Sequence, residues 1–223
     1  MKSTVWLAAA ALAVSSSALA GPDWDVDLEK DAGSTLQSSQ VITFGGPVQT
    51  IAGRLRGTAV LEPDFHDVYK LVITSPGDFI IDLTGGVNFD ACLWLFDENG
   101  IPLLGNNDAG FGNTAPKLTN TSNGGASVSI TSPGIYFLAI SGFSAQPLSF
   151  GEPLWPSDVF NPGIVAGSFA TKSQWAGEWS GEGAIGDYVM TVSGVAGVPA
   201  PGAIALLGAA GLIGRRRRRA VAG

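Results

Sequence analysis

The stretch "DACLWLFDENGIPLLGNND", Asp90–Asp108, decides the fold of this chain. Two apolar runs flank Asn99-Gly100, and Asn-Gly is the residue pair that a two-residue type I′ β-turn favours. A hairpin closed by that turn would place Leu95 opposite Leu104 and so define the register of both strands. The stretch therefore predicts an antiparallel β-hairpin.

The same register predicts what lies at each end of this hairpin. Pro102 would face Asp97 at a position without ladder hydrogen bonds. Because proline has no N–H to offer a strand on its other side, the strand 101–106 should lie at the edge of a sheet. At the far end of the hairpin, Asp90 and Asp108 should lie close together.

Short apolar runs separated by Gly, Pro, Asn and Asp fill the middle of the chain, and helical periodicity is nearly absent. This pattern is typical of a β-sandwich or barrel, and we expect an all-β, antiparallel, jelly-roll-like β-sandwich. In "DVYKLVI", the more apolar set is Tyr69, Leu71 and Ile73, which should point inward. The predicted strands lie near residues 50–60, 67–74, 79–84, 89–97, 101–106, 126–131, 135–141 and 187–194.

Residues 143–186 break this pattern, because they are rich in Pro and Gly and too long for a plain loop of a compact domain. We expect an ordered excursion that covers one end or face of the sandwich. Its three tryptophans, Trp155, Trp175 and Trp179, allow two interpretations. They attach the excursion to the core, which we favour, or they form a platform on which a sugar stacks.

The N-terminus has the features of a secretory signal peptide, residues 1–20. Lys2 is followed by the apolar run Val5–Ala13, which is too short to span a membrane. Ala18-Leu19-Ala20 then supplies the small-x-small pattern at which signal peptidase would cut, before Gly21. We therefore expect export.

Removal of both ends would leave a strongly acidic body, residues 21–197. That body holds six basic residues against all 19 acidic residues of the chain, a formal net charge of −13. Such a domain is a poor binder of nucleic acid and of anionic lipid. Its charge suits cations or simple solubility.

The residues that carry most enzyme chemistry are scarce. His66 and Cys92 are the only histidine and cysteine, and no G-x-S-x-G nucleophile motif occurs. One of each cannot build a usual zinc site or a disulfide. We expect an exposed His66 at a strand start and a buried Cys92 that acts as a small apolar residue. The chain is predicted not to be an enzyme.

Oxygen-bearing side chains around the hairpin give a candidate calcium site: Asp90, Asp97, Asn106 and Asp108. Carboxylate and amide oxygens suit a hard cation, although the spacing matches no EF-hand. The alternative is that these are ordinary turn-forming residues, and the chain then needs no cofactor.

The C-terminal segment, residues 198–220, combines three features in a definite order. Pro199-Ala200-Pro201 precedes the apolar run Ala203–Gly214, and Arg215, Arg216, Arg217, Arg218 and Arg219 follow. With the prolines at its start, an apolar helix here could just span a bilayer. The arginines would stay in the cytoplasm under the positive-inside rule.

This order resembles the PEP-CTERM sorting signal, in its VPAPGA variant. Ala200 stands where that family has Glu between the prolines. The resemblance implies recognition by an exosortase-type membrane transpeptidase, membrane contact through the C-terminal helix before processing, and delivery to the cell surface or an exopolysaccharide matrix.

The body shows a second resemblance, carried by "DVYKLVITSPGDFIIDLTG", the hairpin stretch, "SPGIYFLAISG" and "GDYVMTVSG". Together these are similar to the pre-peptidase C-terminal (PPC) type of β-sandwich. That resemblance implies a domain of the type that accompanies secreted enzymes, and some domains of this type bind matrix polymers or calcium.

We therefore expect an exported, non-enzymatic protein of the envelope, surface or extracellular matrix of a Gram-negative-type bacterium. The alternative is a carbohydrate- or calcium-binding accessory module with a defined ligand.

Overall fold

A computed structural model describes residues 23–25, 31–43, 46–58, 63–123, 128–167 and 173–198. The predicted signal peptide with its cleavage residues Ala18, Ala20 and Gly21, and the predicted sorting signal from Pro199 onward, lie outside these residues. The described part is all-β, with two short 3-10 helices, Pro76–Asp78 and Ser157–Phe160. None of its helices is long and apolar enough to cross a bilayer.

Strands account for the remaining regular structure of the described residues. In chain order they are β1 (Asp23–Asp25), β2 (Gln40–Val41), β3 (Thr50–Leu55), β4 (His66–Ile73), β5 (Ile80–Asp82), β6 (Ala91–Asp97), β7 (Pro102–Asn106), β8 (Lys117–Thr119), β9 (Gly134–Gly142), β10 (Pro147–Ser149), β11 (Glu152–Pro153), β12 (Val165–Ala166), β13 (Glu178–Trp179), β14 (Gly186–Ser193) and β15 (Val195–Ala196).

Two large sheets share one hydrophobic core. One has five strands in the order β1-β3-β14-β5-β8. The other has seven, in the order β12-β7-β6-β9-β4-β15, with β2 beside β4. A small third sheet has the order β11-β10-β13. The pairing is antiparallel except for β1 with β3 and β2 with β4. The architecture is therefore sandwich-like, and the described strands form no closed barrel.

The alternation of β4 shows which side of the seven-stranded sheet faces this core. Tyr69, Leu71 and Ile73 are all buried in the shared core, as predicted. Val68 points to the other side, yet it is buried as well. Both faces of this sheet are therefore covered.

The predicted hairpin is present, but its turn differs from the prediction. Leu95 pairs with Leu104 as expected. Gly100 has a φ of +77° and Asn99 does not have a positive φ, so the turn is not type I′. The turn instead runs from Asp97 to Gly100, and the Asp97 carboxylate accepts the N–H groups of Asn99 and Ile101 at 2.8 and 2.9 Å.

The turn has three residues between Asp97 and Ile101, so Pro102 pairs with Phe96 and not with Asp97; a register shift at Leu103 then restores the pairing of Leu95 with Leu104. The prediction that the strand 101–106 forms a sheet edge is also wrong. Two residues of the excursion, Val165 and Ala166, pair with Gly105 and Leu104 as β12. Because β12 lies beyond Pro102 along β7, the missing N–H of the proline does not disturb this pairing.

Seven of the eight predicted strands are present within a few residues of their predicted bounds. The exception is 126–131, where the described residues 128–131 show only an isolated bridge between Ser129 and Thr121. The strands that were not predicted are two or three residues long. Runs this short carry no detectable periodicity.

Candidate functional site

The excursion packs on the outer face of the seven-stranded sheet and forms a second hydrophobic cluster there. We call this the outer cluster; its buried members are Val68, Cys92, Trp94, Phe96, Phe137, Ala139, Leu154, Trp155, Val159 and Trp175. The ring of Trp155 lies 5.0 Å from that of Trp94 and 5.3 Å from that of Phe96. Trp175 stacks on Phe96 at 4.8 Å. The expectation that the excursion covers a face of the sandwich is confirmed.

This packing removes two of the three tryptophans from the predicted sugar platform. Trp155 is 1% exposed and Trp175 is 3% exposed, so neither ring has a free face on which a sugar could stack. Trp179 is partly buried, and its Nε1–H donates to the carbonyl of Ser34 at 2.9 Å. The structure therefore contradicts the three-residue platform, because burial against the sheet stabilises these rings instead.

His66 begins β4, as expected, but it is buried and not exposed. Its ring stacks on Trp179 at 4.0 Å, with 9° between the planes. Nε2 lies 2.9 Å from the carbonyl oxygen of Gly181 and must carry a proton to donate to it. Burial lowers the pKa of His66 from 6.5 to about 4, although the Gly181 carbonyl opposes the shift. His66 thus connects the C-terminal end of the excursion to β4 through a hydrogen bond and a ring stack.

The far end of the hairpin brings Asp90 and Asp108 together, as the register predicted. Burial and then the charge of Asp108 raise the pKa of Asp90, and burial raises that of Asp108. One carboxylate oxygen of Asp90, Oδ1, is buried without a hydrogen-bond partner among the described residues. We call these two carboxylates the acid pair.

Neutral side chains border the acid pair. Asn107 donates its Nδ2–H to Asp108 at 3.0 Å and accepts the thiol proton of Cys92 at 3.1 Å. Cys92 is buried, as predicted, and burial raises the pKa of its thiol well above the usual value. The thiolate, which is the nucleophilic form of cysteine, is therefore disfavoured at Cys92.

The other two residues of the predicted calcium set do not belong to this site. Asp97 lies at the opposite end of the hairpin, in the turn. Asn106 is fully buried, and its amide N–H groups donate to the carbonyls of Asp108 and Gly163 at 2.9 and 2.6 Å. Its Oδ1 accepts the N–H of Lys117 at 2.7 Å. Because these protein bonds use both ends of the amide, Asn106 fixes the backbone and is not a cation ligand.

A second acidic cluster was not predicted. The carboxylates of Asp31, Asp64 and Asp67 approach within 4.8 Å of one another, and the last two are buried. Arg56 supplies a counter-charge, because its guanidinium lies 3.7 Å from Asp64, which also accepts the Arg56 backbone N–H at 2.9 Å. The spacing of Asp64 and Asp67 around His66 was visible in the sequence. The approach of Asp31 to these two residues depends on long-range packing, and no pattern in the sequence predicts it.

Two tyrosines complete the polar surroundings of Asp67. Tyr188 donates its hydroxyl to Asp67, and its oxygen lies 2.5 Å from the Tyr69 hydroxyl. Burial, reinforced by the negative charge of Asp67, raises the pKa of Tyr188 well above its usual value. Both rings are buried between the two large sheets. This arrangement is a hydrogen-bonded polar element of the core, in which Tyr188 keeps its hydroxyl proton.

Comparison with known proteins found no matching family model, no similar curated protein and no similar solved structure.

Proposed function

We propose that this protein is exported and then sorted through its C-terminus to the cell surface or an extracellular polysaccharide matrix, where its role is structural or adhesive. One observation carries the proposal: the order Pro199-Ala200-Pro201, apolar run, five arginines, directly after the β body. An exosortase-type transpeptidase would read this order, and signal peptidase would cut before Gly21. The bacterium would be of the Gram-negative type.

The described body supports a role without enzyme chemistry. The only histidine of the chain hydrogen-bonds a backbone carbonyl and stacks on an indole. The only cysteine is a buried thiol. Neither side chain has the exposure that a nucleophile or a general base needs to reach a substrate.

At the level of the fold, we propose that the two large sheets form an antiparallel, jelly-roll-like β-sandwich of the PPC type. The support is the shared core of the two sheets and the buried hairpin Ala91–Asn106. With the excursion packed on one sheet, this module is broader than a bare sandwich.

The proposal is tested by expressing the complete chain in a Gram-negative-type bacterium that has an exosortase. Intact mass and cell fractionation should show an N-terminus at Gly21, loss of the arginine cluster, and recovery outside the cytoplasm. A matched variant with Arg215–Arg219 changed to asparagine should keep the first cleavage and lose the second. Recovery of the parent chain in the cytosol with residues 1–20 intact would refute the proposal.

A second candidate function is calcium binding at the acid pair. The observation that favours it is the buried, unpartnered Oδ1 of Asp90 beside a second carboxylate, because a cation would relieve both the lost hydration and the repulsion. The carbohydrate-binding alternative keeps only Trp179 of its three predicted residues.

A further inference from the structure

The chain leaves the β body at one edge of the seven-stranded sheet. Val198 donates its backbone N–H to the carbonyl of Ile42 at 2.6 Å. Just before it, Ala196 bridges to Pro47. Val48 donates its N–H to the carbonyl of Val195 at 2.9 Å. The backbone is therefore held in place up to the residue that precedes Pro199.

We call this region the exit edge and define it as residues 41–43, 47–48 and 195–198. It contains no acidic residue, although the body has a formal excess of acids. No acid occurs between Ala32 and Leu61, and none follows Asp187. Val41 is 40% exposed, and its backbone partner on β4 is the cation Lys70.

Acids do approach the two ends of the exit edge. The carbonyl of Asp78 accepts the hydroxyl of Ser193, two residues before β15 begins. At the other end, Gln40 donates its N–H to the carbonyl of Ala32, which follows Asp31. Among the described residues, the exit edge itself carries no charged side chain, and Lys70, which pairs with Val41, is partly buried.

The tether between this edge and the apolar run is short. Four residues, Pro199–Gly202, separate Val198 from Ala203. A fully extended chain covers about 3.5 Å per residue, so Ala203 lies within roughly 17 Å of Val198. A domain of this size has a radius of gyration of about 16 Å and is more than twice as wide as that. The tether cannot reach around the body to the opposite side.

We infer that the exit edge is the surface that this protein turns towards an uncharged lipid bilayer while its apolar tail is inserted. The inference rests on the proposed function, because it requires the tail to enter a membrane. A surface whose described residues include no acid and one exposed valine loses little hydration beside phosphocholine headgroups. The acidic remainder of the body stays in water.

The test uses residues 21–223, the chain as it stands after the proposed signal cleavage, in phosphatidylcholine vesicles that contain a headgroup-labelled quencher lipid. An environment-sensitive fluorophore is attached to Val41→Cys in one sample and to Val189→Cys in another. Val189 is a matched control, because it is 45% exposed and lies on β14 of the other large sheet. Cys92 is buried and should stay unlabelled in the folded protein.

We expect lipid quenching at position 41 to exceed that at position 189 by at least threefold. Vesicle flotation, measured on the same samples, separates two kinds of failure. A chain that does not float refutes tail insertion, and with it both the proposed function and this inference. A chain that floats but is quenched equally at both positions overturns the inference alone.

Discussion

His66 and Trp179 join the end of the excursion to the start of β4 through three contacts. Their rings are stacked, Nε2–H of His66 donates to Gly181, and Nε1–H of Trp179 donates to Ser34. Ser34 in turn donates its hydroxyl to the carbonyl of His66 at 3.1 Å. A protonated imidazole would bring an unpaired charge into this buried contact, so the site favours the neutral ring.

We predict that this histidine makes the fold acid-sensitive. Because the folded-state pKa of His66 is about 4 and the ordinary value is 6.5, the unfolded chain binds the extra proton first. The contribution of His66 is therefore complete above pH 6.5 and is lost as the pH falls towards 4, by about 3 kcal/mol in all. Urea unfolding at pH 7 and pH 5 measures the larger part of this loss, about 2 kcal/mol.

His66→Gln is the matched variant for this prediction. Glutamine keeps an N–H donor for Gly181 but does not titrate, so the variant should be less stable at pH 7 and less sensitive to pH. The partly buried acids Asp90 and Asp108 titrate in both proteins and cancel in the comparison. Equal losses of stability between pH 7 and pH 5 would contradict the assignment.

At the scale of elements, the excursion explains why β6 is continuously apolar from Ala91 to Phe96. Strands with one wet face alternate, whereas strands covered on both faces are continuously apolar. Trp94 and Phe96 face the excursion, while Leu93 and Leu95 face the other large sheet. The excursion therefore supplies buried residues that pack on one face of β6, and it is not a solvent-exposed loop.

Gly105 of β7 lies at a close contact between the excursion and the seven-stranded sheet. A Cβ at this position would meet the indole ring of Trp155 at 2.8–3.1 Å. The buried ring cannot move away, so Gly105→Ala should cost about 1–3 kcal/mol of unfolding free energy. Thermal unfolding measures the change.

Gly77→Ala is the control for that substitution. Nothing lies within 4 Å of the added Cβ, and φ at Gly77 is not positive. The unfolding free energy of the Gly77→Ala variant should change little or rise by up to about 1 kcal/mol. Similar losses in the two variants would show that the Trp155 contact is not responsible.

The hairpin shows what the sequence can predict and where that stops. Its pairing follows from two apolar runs around a turn, so Leu95 opposite Leu104 was predictable. The turn type was not, because the Asp97 carboxylate binds two backbone N–H groups and competes with the preference of Asn99-Gly100. Likewise β12 is supplied by a Pro- and Gly-rich segment whose two paired residues have no strand pattern.

At the scale of the whole molecule, acids far apart in the chain meet where strands end. The acid pair was predictable, because one hairpin register joins Asp90 to Asp108. The approach of Asp31 to Asp64 and Asp67 was not, because it requires the path of the chain from residue 31 to β4. The burial of Trp155 and Trp175 could not be predicted for the same reason, because composition does not reveal which face of the sandwich an excursion covers.

Calcium should stabilise the body through the acid pair. At a concentration 100 times the dissociation constant, binding to the folded state alone adds about 2.7 kcal/mol, or roughly 5–10 °C in melting temperature for a body of this size. Thermal unfolding with and without calcium, at constant ionic strength, measures this. An unchanged melting temperature would remove the calcium candidate.

Two variants locate the calcium effect. Asp90→Asn should abolish the response and, by relieving repulsion from Asp108, leave the calcium-free protein at least as stable. Asp78→Asn removes an exposed acid elsewhere and should respond like the parent. A response that survives Asp90→Asn would place the cation at another site.

The two residues of β12 have a consequence for this protein at high concentration. Without them, the backbone of β7 at Leu104 and Gly105 would present free N–H and C=O groups, on which a second copy could add its own strand. Val165 and Ala166 occupy that place within the same chain. Neighbouring copies can therefore pack against one another without forming fibrils through strand addition at this edge of the sheet.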